Sequence, residues 1–176
     1  MRPRDTEIMT ADTETKDLRV VLFRGKGLLS RLIKWQTRGE FSHAAIANGD
    51  VLYEAREGAG VRAMLWDAEE KKRHDYEEYD VPVANAEQYH DVMRFLQKQL
   101  AKPYDYSSVL RFVSRRQASR KSSGKWFCSE LVFAALRKGG IELFKNIEPW
   151  AVSPQMLSYS PVLSSVVSSV VEKPGE

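Results

Sequence analysis

The chain has 176 residues, 43% of them apolar and 29% charged, with a net charge of +3 when histidine is neutral. That length suits one domain with a working core, and so weak a charge gives no reason to expect nucleic acid as a partner. The single cysteine excludes an intramolecular disulfide, and no apolar stretch approaches the ~18 residues that a membrane span needs.

Residues 1–16 are acidic, threonine-rich and unpatterned, and read as a disordered leader. They carry neither the apolar centre of a secretory signal nor a lipid-anchor motif, so the cytoplasm is the expected location. The domain is expected over residues 17–159, followed by a Val/Ser-rich tail at 160–176.

The run LRVVLFRG (18–25) predicts a strand ended by Gly25. In GLLSRLIKWQTRG (27–39), Leu28, Leu29, Leu32, Ile33 and Trp35 share one helical face, which predicts a short helix closed by Gly39. FSHAAIANGDVLYEA (41–55) predicts a β-hairpin, because Asn48-Gly49-Asp50 tolerates positive φ at a tight turn. GVRAMLWD (60–67) predicts a third strand. The charged stretch 68–81 ends in YEEYDVPV, an expected edge strand that Pro82 limits.

Residues 86–101 carry the clearest helical pattern. Asn85 caps the helix, with Gln88 three residues on, and Tyr89, Val92, Met93, Leu96 and Leu100 form the apolar stripe. Pro103 stops it. PYDYSSVLRFV (103–113) starts a second helical piece, and 114–125 is a basic, Ser-rich loop. WFCSELVFAALRKGG (126–140) predicts a helix with Cys128 in its first turn, Leu131, Val132, Ala135 and Leu136 facing inward, and Gly139-Gly140 at its end. In the tail, paired apolar residues at 162/163, 166/167 and 170/171 fit a helix by spacing and a strand by valine branching. Both assignments stay open.

A thiol attacks as thiolate, and the free N–H groups of a helix start favour that form and stabilise an oxyanion formed beside it. Cys128 is so placed, although free cysteine is also among the most buried and inert residue types. His43 lies in FSHAAIA, where alternation sets it on one face with Ala45 and Ala47, leaving room around the ring. On its own it also suits a half-buried strand histidine. His74 lies in a charged run and His90 falls off its helix stripe, so both read as surface. A two-residue Gly49-Asp50 turn would pair Ala45 with Glu54 and set Glu54 on the His43 face, within reach to orient the ring. The competing reading is a surface Glu54 paired with Arg56 or Arg62.

In this order, an SH-plus-small-apolar strand, a YEA strand, a PYDY segment, an FCSELV helix and a later VSP (152–154) resemble the circularly permuted NlpC-type papain-like superfamily, in its YiiX-like branch of cysteine peptidases and amidases. The likeness runs from about Asp17 to about Leu157. It implies an α+β, permuted papain-like fold, with a small antiparallel sheet packed against the helix that carries the nucleophile. It assigns Cys128 as nucleophile, His43 as base, Glu54 as third member and Tyr104 as an aromatic group near the thiol, serving the oxyanion or substrate pocket. Ser129 and Glu130 take helix-start roles.

The implied activity is hydrolysis of an amide, in a peptide or a cell-wall-type peptide, through an acyl-enzyme. The alternatives are a lipid-directed thioesterase or acyltransferase on the same scaffold, and a non-catalytic binding protein that keeps the fold. The partners are a peptide or other acyl substrate, with weak membrane-surface contact through 111–125 and 160–176 under the lipid reading. No cofactor is required. One cysteine and three scattered histidines lack zinc-ligand spacing, and RGKG (24–27) lacks that of a phosphate loop.

Overall fold

The computed structural model describes residues 17–106 and 124–169. Six strands form one antiparallel sheet: β1 (Leu18–Phe23), β2 (His43–Asn48), β3 (Val51–Arg56), β4 (Gly60–Leu65), β5 (Tyr76–Asp80) and β6 (Ser164–Ser169), in the order β4-β3-β2-β1-β5-β6. Among the described residues the helices are α1 (Leu28–Thr37), α2 (Ala68–Lys71), α3 (Ala86–Gln99), α4 (Cys128–Lys138) and α5 (Pro154–Leu157), with a short 3-10 turn at Pro149–Ala151. This is an α+β architecture.

β1 is apolar on both sides because both sides are covered. Leu18, Val20 and Leu22 join Ala44 and Ile46 in a core with Val92 and Leu96 of α3 and Leu131, Val132 and Leu136 of α4. Val21 and Phe23, on the other parity, pack with Ala45, Ala47, Leu52, Trp66 and Tyr76. A strand alternating between two dry surfaces shows no polar period, hence the apolar run at 20–23; Arg19 enters the strand by pairing with Glu78.

The tail resolves as strand β6, which pairs with β5 and forms the sheet edge. YEEYDVPV is therefore an internal strand, not an edge. Its acidic residues can enter because Glu78 is satisfied from three sides: Arg19 Nη1 donates at 2.8 Å, Trp66 Nε1 at 3.0 Å, and Lys71 Nζ lies 3.2 Å away. Those bonds outweigh the cost of burial and hold Glu78 below the usual carboxylate range.

α1 also departs from expectation. Of its five apolar side chains only Ile33 is buried, Leu29 is partly buried, and Leu28, Leu32 and Trp35 face outward. The helix reaches the core only through Ile33 and Leu29, and its chain turns out through a left-handed Arg38 (φ 51°), not through Gly39. α3 begins as expected, with the Asn85 side chain accepting from Gln88 N–H at 2.9 Å. It stops at Gln99, so Leu100 leaves the stripe, and Gln99 turns in to accept from Trp126 Nε1 at 3.1 Å. The expected helical piece and basic loop (103–125) fall mostly outside the described residues, as do the leader (1–16) and 170–176.

Gly60 opens β4 with φ +73°, and a Cβ there would stand 2.4 Å from the Lys102 carbonyl oxygen. The next residue binds that same carbonyl, Val61 N to Lys102 O at 2.8 Å, and Ala101 N returns to Val61 O at 2.9 Å. This seam holds the approach to Tyr104. Gly60→Ala is expected to destabilise the fold by about 1–3 kcal/mol through strain and displacement of the seam. Urea unfolding checks it, with a lower midpoint expected at unchanged slope.

Candidate functional site

The site begins with the hairpin turn. Gly49 adopts φ +55°, and the two-residue turn sets Asn48 against Val51 and Ala45 against Glu54, the expected register. Glu54 therefore shares the face of His43, and their side chains meet: His43 Nε2 lies 2.6 Å from Glu54 Oε2.

Glu54 is 1% exposed, so its charge must be answered inside the fold. Arg62 is directly across from it on β4 and donates to Oε1 twice, from Nε at 2.8 Å and Nη2 at 2.6 Å. Arg56 Nη1 stands 3.8 Å from Oε2. Burial alone would raise the carboxyl, but the bonds from His43 and Arg62 and the Arg56 charge overcome it and lower it to about 2. The surface pairing with Arg56 or Arg62 and the orientation of His43 are thus one network, built on a buried acid.

Burial likewise favours neutral His43, and is overcome first by hydrogen bonding and charge from Cys128 and then by Glu54, which raise the ring to about 9. With Nε2 facing Glu54, Nδ1 is the nitrogen left for the thiol. His43 opens β2, and at this strand end its ring, 18% exposed, meets Cys128.

Cys128 is the first residue of α4 and has no exposed surface. The helix start is fixed on both sides of it. Glu130 Oε2 accepts from Phe127 N–H at 3.4 Å, and Ser129 Oγ donates to Val152 O at 2.6 Å. Tyr104, joined to Trp126 by an isolated parallel bridge, is buried with its ring 5.9 Å from that of Phe127. Burial and then the Cys128 charge raise its hydroxyl well above the usual phenol range, so it stays protonated and able to donate. The four side chains expected at the site thus come together.

A cleft of about 290 Å³ opens onto His43 and Tyr104, with Phe23, Gly25, Leu29 and Ser42 in its wall. Cys128 is not part of this lining. Two further residues were not expected here. His74 is half-buried and not fully solvated: its ring stands 5.5 Å from Phe23 and 5.9 Å from Trp66, its Nε2 is 3.1 Å from Glu70, and it lines the same cleft. The charged run around it hid this. Gln155 Oε1 accepts from Glu40 N at 2.6 Å and Phe41 N at 3.3 Å, anchoring the lead into β2, and a Cβ on Gly39 would stand 2.3 Å from that oxygen. No local signal in the sequence marks a contact across 114 positions. His90 is exposed, as expected.

A thiol, an imidazole and a buried carboxylate in series can pass a proton from sulfur to ring and keep the resulting cation paired. No family model and no curated protein matches the chain. Among solved structures, the crystal structure of metalloprotein yiiX from Escherichia coli O157:H7, DUF1105, matches with a TM-score of 0.64 over 88% of this chain and 97% of that chain, at 17% identity. The fold is yiiX-like. No helix among the described residues is long and apolar enough to cross a membrane.

Proposed function

We propose that this chain is a thiol hydrolase of the permuted papain-like kind, cleaving an amide in a peptide or cell-wall-type peptide. The observation that carries the reading is the His43 ring held between buried Glu54 and the Cys128 thiol at a helix start. His43 takes the thiol proton, and Sγ attacks the acyl carbon to form a C–S bond. His43 then protonates the leaving amine as the C–N bond breaks. Water, deprotonated by His43, attacks the thioester, and the C–S bond breaks to release acid and restore the thiol. Glu54 holds the ring and its charge throughout.

Tyr104 supports this reading as an oxyanion donor, because it is protonated, buried and near the thiol. Tyr104→Phe is expected to lower kcat by about 10- to 100-fold with little change in KM, the signature of a bond made only in the transition state. Steady-state kinetics check it.

YiiX is described as a metalloprotein. The donors here do not fit a resident ion. Both Glu54 oxygens are engaged by His43 and Arg62, which leaves the thiol and one ring nitrogen. Among the described residues no group of three or more His, Cys, Asp or Glu is placed to hold a metal. Treatment with a chelator is expected to leave thiol labelling and hydrolysis unchanged.

The deciding experiment is hydrolysis of a panel of short peptides, γ-linked peptides and acyl thioesters by the wild type and Cys128→Ser. Amide cleavage lost in the variant supports the reading. Thioester cleavage alone favours a lipid-directed thioesterase or acyltransferase, a second reading that the apolar cleft wall at Leu28, Leu29 and Ile33 supports.

A further inference from the structure

α1 holds an exposed apolar stripe that the fold leaves uncovered. Leu28 is 84% exposed, Leu32 38% and Trp35 73%. At 100° per residue the three lie within roughly 60° of arc, opposite Ile33, the one buried side chain of the helix. Beside the stripe, on one flank, lie Arg31, Lys34 and, at the cap, Arg38; Lys26 precedes the helix.

The charge here is of one sign. No Asp or Glu occurs from Leu18 to Gly39, and among the described residues Lys26, Arg31, Lys34 and Arg38 form no ion pair. A tryptophan and two leucines in line, flanked by unpaired cations, have the chemistry of an interfacial helix. The apolar ridge suits the acyl boundary, and the cations suit anionic headgroups. A protein partner would need a complementary acidic groove, whereas an anionic bilayer supplies both complements on one plane.

We propose that α1 docks this protein on an anionic lipid bilayer, with Leu28, Leu32 and Trp35 seated in the interface and Lys26, Arg31, Lys34 and Arg38 against the headgroups. The placement differs from the segments 111–125 and 160–176 suggested by composition: 107–123 lie outside the described residues, and 164–169 form the edge strand β6. Docking would bring the cleft mouth to the membrane, because Leu28, Leu29 and Ser30 of α1 line that cleft. The proposal stands apart from the hydrolase reading, since binding requires no chemistry at Cys128.

Co-sedimentation of the full chain with vesicles of phosphatidylcholine, with and without about one-third phosphatidylserine, tests it. The wild type and Cys128→Ser should bind the anionic vesicles alike and the neutral ones more weakly. Leu32→Ser/Trp35→Ser should weaken binding by at least about tenfold. Arg31→Glu/Lys34→Glu should weaken it by at least about 25-fold, at roughly fivefold per charge removed. All four changed side chains point away from the core, and thermal melts of both variants should match the wild type.

Three results would overturn the proposal. They are no binding by the wild type, equal binding by the α1 variants (which would put the contact elsewhere), and vesicle-free self-association that Leu32→Ser/Trp35→Ser abolishes, which would make the occupant a second copy.

Discussion

Replacing His43 with alanine should lower hydrolysis by about 10²- to 10⁴-fold at neutral pH, the range in which a positioned proton acceptor contributes. Alkylation of Cys128 by a small electrophile should slow with it. The variant is informative because it spares the rest of the network. Glu54 keeps both Arg62 bonds, at 2.8 and 2.6 Å, so its buried carboxylate stays paired and the fold survives the loss of the ring. Circular dichroism and a thermal melt confirm that before rates are compared. Alkylation of His43→Ala at the wild-type rate would remove the base from the proposal and leave Cys128 as the inert buried thiol that its lack of exposed surface also describes. Because Cys128 has no exposed surface, a compact electrophile is the right probe, and slow labelling by a bulky one has a steric explanation.

The pairing at the centre of this test was legible in the sequence because parity decides it. Asn48-Gly49-Asp50 suits a two-residue turn, and once that turn forms, Ala45 faces Glu54 and the face of Glu54 is set; a turn one residue longer would have reversed it. The start of α4 was legible for a similar reason: Leu131, Val132, Ala135 and Leu136 keep helical period and all are buried, which carries the helix back to Cys128. What stayed hidden depends on partners far along the chain. YEEYD reads as exposed until Arg19, Trp66 and Lys71 are seen around Glu78. Nothing in the sequence around Gln155 marks it until its oxygen is found holding Glu40 and Phe41. The apolar pattern of α1 identifies a helix but not its depth, since Leu28 and Trp35 carry the same pattern and remain outside. The valine tail was ambiguous because only the free edge of β5 selects strand over helix.

Stability should peak in a window of about pH 4.5 to 6.5 and fall on both sides, and one network causes both limbs. Glu54 is lowered from 4.5 to about 2 by folding, so between those values the unfolded chain binds more protons. Stability from this carboxylate is present above about 4.5 and is lost as pH falls toward 2. His43 is raised from 6.5 to about 9, so between those values the folded chain binds more protons. Its contribution is complete below 6.5 and is lost as pH rises through 9. Each limb is on the order of 3 kcal/mol by linkage. The two do not add, because both contain the same His43–Glu54 bond at 2.6 Å. Glu54→Gln separates them: it should flatten the acid limb, shorten the alkaline limb (still beginning near 6.5 but ending at a lower pH) by removing one of the two partners that raise His43, and leave Arg62, with its partly exposed side chain, to turn to water. Thermal melts from pH 3 to 9.5 on the wild type, Glu54→Gln and Cys128→Ser read all three changes. The Cys128→Ser profile should keep the acid limb and shorten the alkaline one further, because Cys128 ranks ahead of Glu54 among the groups that raise His43. A wild-type profile with no acid limb above pH 3 would mean that Glu54 is not the buried, ionised partner of the ring.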